Sequence, residues 1–150
     1  MLYGCSPIQA RSEATLGLRP AMTLESRIVA VKTVAAGEVI GYGGAWRCDS
    51  ETRVGVVTCG YADGYPRHAP SGTPVWVNGH RSRILGRVSM DLIGIDLSGP
   101  VDAGIGDWVE LWGANVTAST VADRSGTIPY QLVAGVTARV PRIYEKDTSG

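Results

Sequence analysis

Asn78-Gly79 joins two β-like runs, Thr73–Val77 and His80–Val88, and it limits what this chain can fold into more than any other feature. Asn-Gly accepts the positive φ angles that a two-residue type I′ turn needs, so the two runs are expected to pair as an antiparallel hairpin. The rest of the chain reads in the same way. From Met22 to Val34, alternation puts Leu24, Ser26, Ile28, Ala30, Lys32 and Val34 on one face. The C-terminal half of that run reads as buried on both sides. Ala36-Gly37-Glu38 is a turn, Val39–Tyr42 is a short strand, and Gly43-Gly44 releases the chain. Arg53–Thr58, Leu92–Leu97 and Trp108–Trp112 are further strands, and Val140–Tyr144 reads as a last one. Two short helices are expected late, Thr120–Arg124 capped by Ser119 and Tyr130–Thr137 after Pro129. Short strands at turn-punctuated spacing with no long helix between them indicate a mainly β fold, a small barrel or sandwich. Residues 1–20 read as a connecting segment, 21–144 as a β-rich domain and 145–150 as a frayed tail.

Composition removes several classes of function. Formal net charge is zero and no face gathers basic and aromatic residues, which argues against nucleic acid as a partner. No apolar run approaches the roughly 20 residues of a membrane-spanning helix. The start, Met1 to Ala10, lacks the basic and apolar regions of a signal peptide. The three cysteines, Cys5, Cys48 and Cys59, lack close paired spacing and read as reduced cytosolic thiols. With only His68 and His80 beside them, no closed zinc site is expected. Asn115-Val116-Thr117 matches a glycosylation sequon, which reads as chance without a secretory signal. Gly41-Tyr42-Gly43-Gly44 is only superficially like a dinucleotide loop, because no long helical pattern follows it.

Chemistry concentrates in Gly60-Tyr61-Ala62-Asp63-Gly64-Tyr65-Pro66-Arg67, in Gly86-Arg87-Val88-Ser89-Met90-Asp91 and in the Gly37–Gly44 segment. These put tyrosines, arginines and a methionine on turns, which suits a pocket for a small anionic molecule. Taken alone, each residue also has a plainer reading. Tyr42 could be a strand-end aromatic, Met90 core filler, Arg67 and Arg87 solvated charges, and Tyr130 an aromatic at a helix start.

Together with Leu18–Leu24 and the closing run from Ile128-Pro129-Tyr130 to Arg139-Val140-Pro141-Arg142, these motifs resemble the C-terminal domain of bacterial alanine racemase. The resemblance covers nearly the whole chain. It implies a β-rich domain that follows a (β/α)8 barrel, the barrel itself being absent here. It implies pyridoxal 5′-phosphate as cofactor, alanine as substrate, D-alanine for peptidoglycan as product, and a cytoplasmic head-to-tail homodimer.

The resemblance also implies roles for particular residues. Tyr42 would be one of two catalytic bases, the other being a lysine of the barrel. Tyr61 would narrow the substrate entrance, and Met90 would offer its backbone N–H to the substrate carboxylate. Arg67, Arg87 and Ile128 would line the entrance, and Tyr130 would donate its hydroxyl to the cofactor phosphate. Asp63 and Asp91 read as side chains that cap backbone N–H groups within their turns. Gln131 and Ala134 depart from the acidic residue and cysteine common at those places, which bears on subunit contacts rather than chemistry. The chain has only two lysines, Lys32 and Lys146, and neither sits in a site-like context, so the isolated chain is expected to be inactive. Three alternatives stay open: a racemase of another small amino acid, a free-standing β binding module, and an inactive truncated fragment.

Overall fold

The computed structural model describes residues 3–7, 12–41 and 43–145. Six strands close into a barrel in the order β1-β4-β7-β6-β5-β8, so the fold is a barrel and not a sandwich. Its strands are β1 (Leu24–Val34), β4 (Thr52–Val57), β5 (Pro74–Val77), β6 (His80–Leu85), β7 (Ile93–Asp96) and β8 (Trp108–Trp112). Two further short strands, β2 (Val39–Ile40) and β3 (Trp46–Arg47), pair with each other beside the barrel.

Closure depends on β1, the longest strand. Its first half pairs antiparallel with β8, Glu25 opposite Glu110, and its second half pairs with β4, Ala30 opposite Val56. One strand therefore serves both seams and leaves no free edge at the join. The register shifts between Ile28 and Ala30. This bulge re-aims the side chains, so that Val31 packs on the main core while Val29, Ala30, Lys32 and Thr33 face outward. The expectation that this half is buried on both sides is therefore wrong. Only one face of a small barrel strand meets the core.

The Asn78-Gly79 turn joins β5 to β6 as expected, with Val77 opposite His80. Asn78 has a φ of 46° and Gly79 a φ of 80°, the left-handed geometry of this turn type. β6 ends at Leu85 instead of Val88, because Gly86 turns the chain with a φ of 76°. Fully buried Val57, Val75, Val77, Ile84, Ile93, Ile95, Val109 and Leu111 fill the barrel. A smaller cluster of Val34, Ile40, Cys48, Val54 and Leu85 fastens β2 and β3 to its side.

One end of the barrel is covered by α1 (Ala118–Ser125) and α2 (Pro129–Gly135), through Val121, Ala122 and Leu132. The cap of α1 is Thr117, whose side chain accepts from the Thr120 N–H at 3.1 Å. Ser119 was expected there, but its hydroxyl donates instead to the buried Glu13. Pro129 starts α2, where its missing N–H costs nothing. Val140–Tyr144 forms no strand; the chain bends at Val140 and runs on without ladder pairing. Pro141 has no N–H to give to a ladder. Residues 3–7 and 12–20 are irregular except for a 3-10 turn at Ala14–Leu16.

Candidate functional site

Two turns that hold most of the expected site residues are bonded to each other. The Tyr61 N–H donates to the Ser89 carbonyl at 3.1 Å, and the Ala62 N–H donates to the Met90 carbonyl at 3.0 Å. Gly60 makes this approach possible. A Cβ there would lie 2.2 Å from the Met90 carbonyl oxygen, closer than any side chain allows. Asp63 holds the first turn, as expected, by accepting from the Gly60 N–H at 2.9 Å. Asp91 does not cap its own turn. Its Oδ1 meets the Arg139 guanidinium at 2.6 Å, and another nitrogen of Arg139 meets Asp63 Oδ1 at 2.8 Å.

The paired turns open on a cleft of about 750 Å³ lined by Tyr61, Arg67, Arg87 and Met90, together with His68 and Ser71. No aspartate or glutamate lines it, and neither Arg67 nor Arg87 is ion-paired among the described residues. Arg67 instead stands over the Tyr61 ring, 5.8 Å from its centroid. The Met90 N–H has no hydrogen-bond partner among the described residues. Uncompensated cations and a free backbone donor at a turn are the chemistry that suits a small anion.

Tyr42 lies outside the described residues. Its two neighbours both sit against the second turn. A Cβ on Gly41 would lie 3.3 Å from the Arg87 nitrogen, and one on Gly43 would lie 3.6 Å from the Arg87 guanidinium. Gly41 and Gly43 thus both lie beside Arg87. Ile128 and Tyr130 do not line the cleft. Ile128, just before α2, is 55% exposed, and the Tyr130 hydroxyl donates to the Cys5 carbonyl at 3.4 Å. Gly64, at the end of the first motif, packs on the end of α2, where a Cβ would meet the Gly135 carbonyl oxygen at 2.3 Å.

His68 and Arg139 were not singled out as site residues. His68 follows Arg67 directly, and its place in the lining could have been read from that adjacency. Arg139 lies 48 positions beyond Asp91, and no local pattern announces the contact. Among the described residues no three His, Cys, Asp or Glu side chains gather as a metal cluster. No helix there is long and apolar enough to cross a membrane. Cys5, Cys48 and Cys59 are buried and unpaired. Burial, and then the nearby Asp63 carboxylate, push the Cys59 thiol up to about 12.

The model of a family described as alanine racemase, C-terminal domain, matches residues 21–144. The chain is 54% identical over 145 residues to the alanine racemase of Marinobacter nauticus, covering 97% of this chain and 41% of that protein. It is 52% identical over 144 residues to the biosynthetic alanine racemase of Pseudomonas aeruginosa, covering 96% of this chain and 40% of that protein. The crystal structure of biosynthetic alanine racemase from Pseudomonas aeruginosa matches the fold with a TM-score of 0.94 at 51% identity, covering 97% of this chain and 40% of that one. The alanine racemase from Acinetobacter baumannii gives a TM-score of 0.89 at 37% identity, covering 93% of this chain and 39% of that one. The chain thus spans about two fifths of the length of the relatives it matches. These likenesses bear out the resemblance read from the motifs: the chain belongs to the alanine racemase C-terminal domain family.

Proposed function

We propose that this chain works as the part of an alanine racemase that completes the active site of a neighbouring subunit in a homodimer. The reaction interconverts L- and D-alanine, and it supplies D-alanine for peptidoglycan in the bacterial cytoplasm. The observation that carries this reading is the convergence of Tyr61, Arg67, Arg87 and Met90 on one cleft without an acidic residue. Residues 21–144 are the working domain in this account, and residues 1–20 connect it to what precedes.

The residues described here fit the outer contacts of pyridoxal 5′-phosphate and not its attachment. Lys32, the one lysine among the described residues, is exposed on β1 and does not line the cleft. Tyr130, at the start of α2, would give the cofactor phosphate its hydroxyl proton in exchange for the bond to the Cys5 carbonyl. When bound, the cofactor supplies an electron sink that stabilises negative charge at the substrate's Cα.

This chain's residues then have separable tasks. Arg67 and Arg87 draw the amino acid's carboxylate into the cleft, and the Met90 N–H holds it. Tyr61 limits the width of the mouth, and Ile128 lines the approach. Tyr42 takes or returns the proton on one face of Cα, while the lysine of the family's barrel domain serves the other. A free phenol titrates at about 10, so Tyr42 needs cationic surroundings to act near neutrality. Arg87, set against both its neighbours, is suited to provide part of that field.

The test uses the full-length protein with pyridoxal phosphate and follows D-alanine formed from L-alanine. Tyr42→Phe is expected to lower kcat by about 10³-fold, within the range of a lost general base. The present chain alone is expected to form no D-alanine even with added cofactor. A Tyr42→Phe enzyme of normal activity, or racemisation by this chain alone, would refute the assignment.

A further inference from the structure

Arg139 lies outside the cleft, yet its side chain touches both turns that form the cleft's wall. One guanidinium nitrogen contacts Asp63, two residues after Tyr61, at 2.8 Å. Another contacts Asp91, the residue after Met90, at 2.6 Å. The two legs differ in setting. The Asp63 side chain is 14% exposed and that of Asp91 is 54% exposed. Asp63 is also committed elsewhere, since its other oxygen accepts the Gly60 N–H. The segment that carries Arg139 is fastened to the same turn. The Thr137 N–H donates to the Asp63 carbonyl at 3.1 Å, and the Thr137 hydroxyl donates to the Ala62 carbonyl at 2.8 Å.

We infer that Arg139 is a positioning residue that clamps the Tyr61 turn to the Met90 turn and so sets the gap between the Tyr61 ring and the Met90 N–H. The inference rests on the racemase reading given above and goes beyond it, because it assigns the width of the substrate mouth to a residue that does not contact substrate. The two backbone bonds between the turns keep them adjacent without Arg139. They join Tyr61 to Ser89 and Ala62 to Met90 and hold each peptide flanking Met90 through its carbonyl, but neither reaches the Asp91 side chain. The Asp91 leg adds a tie beyond these backbone bonds, on the residue that follows Met90. Geometry favours arginine here, since its planar fork presents separate N–H donors to two carboxylates at once and a lysine ammonium is a point donor.

The expected signature is a change in substrate grip rather than in proton transfer. In the full-length enzyme, Arg139→Met should raise KM for alanine about tenfold and leave kcat within about threefold, the pattern of lost binding made equally in ground and transition states. The preference for alanine over serine should narrow in the same variant, because the mouth is less constrained. Arg139→Lys should recover part of the KM change, and Asp91→Asn should add little to Arg139→Met, since both break the same leg. Thermal unfolding of each variant is measured alongside, and Arg139→Lys keeps the test informative where Arg139→Met is poorly folded.

Wild-type KM and serine discrimination in Arg139→Met would overturn the inference while leaving the racemase reading intact. So would a fall in kcat that tracks lost folded protein and is not accompanied by a KM change. An unmodified full-length protein that fails to racemise alanine would overturn the reading itself, and the positioning role with it.

Discussion

At the scale of the residue, Cys59 is the clearest case of burial deciding chemistry. It immediately precedes Gly60 in the first motif and is 3% exposed. A buried thiolate would lose its hydration and face the Asp63 carboxylate, so the folded protein keeps the thiol protonated. Because its folded value of about 12 lies above the ordinary 9.0, the proton is held more tightly in the folded chain. The stability this provides is fully present below the ordinary value and is lost as pH rises from there toward about 12. Two outcomes are expected. At pH 8 a thiol reagent should leave Cys59 unmodified in the native chain and react with it promptly in denaturant. Unfolding free energy should decline above the ordinary thiol value, by less in Cys59→Ala. Rapid labelling of Cys59 in the native chain would show that the site opens. The spacing of the cysteines said nothing of how deep Cys59 lies. Nothing in Thr58-Cys59-Gly60 separates an edge position from the core.

At the scale of the element, the β5–β6 hairpin was readable and the seams around it were not. Asn-Gly states its turn type within two residues, and the structure adds why the position tolerates asparagine in particular. The Asn78 amide donates to the Asp102 carbonyl at 2.8 Å and to Asp107 Oδ2 at 3.0 Å. Asn78→Ala is expected to cost about 2 kcal/mol, combining left-handed strain with the lost hydrogen bonds. Urea unfolding of this chain should show a lower midpoint at constant slope; an unchanged midpoint would mean that the turn is not needed to hold the hairpin. The β1 bulge was invisible because Ile28, Val29, Ala30 and Val31 are an unbroken apolar run with no alternation to break, and only the paired strand reveals the extra residue. The cap of α1 was misplaced for a similar reason. Thr117 and Ser119 are both capping residues by type, with serine the better of the two, and the buried Glu13, distant in sequence, claims Ser119. Val140–Tyr144 had strand-like composition and no partner to pair with.

At the scale of the whole molecule, the barrel presents the Tyr61 and Met90 turns together at one face. Tyr61, Met90 and Leu92 are 42%, 53% and 43% exposed, apolar surface next to an uncompensated basic cleft. Such a face suits contact with another protein surface that brings the complementary chemistry. That Tyr61, Arg67, Arg87 and Met90 would share one cleft was legible because their motifs place turn-forming glycines beside these side chains. The way the C-terminal segment ties those turns through Arg139 was not, since it rests on contacts between residues far apart in the chain.

The central claim is that Tyr42 acts in a site whose lysine belongs to the other subunit. Two inactive full-length variants test it, one carrying Tyr42→Phe and one lacking the cofactor-bearing lysine. They are mixed, allowed to exchange subunits, and assayed for D-alanine. Donation across a two-fold dimer is expected to restore about a quarter of normal activity, since half the dimers are mixed and each mixed dimer has one complete site of two. Failure to regain activity in demonstrably mixed dimers would contradict the account.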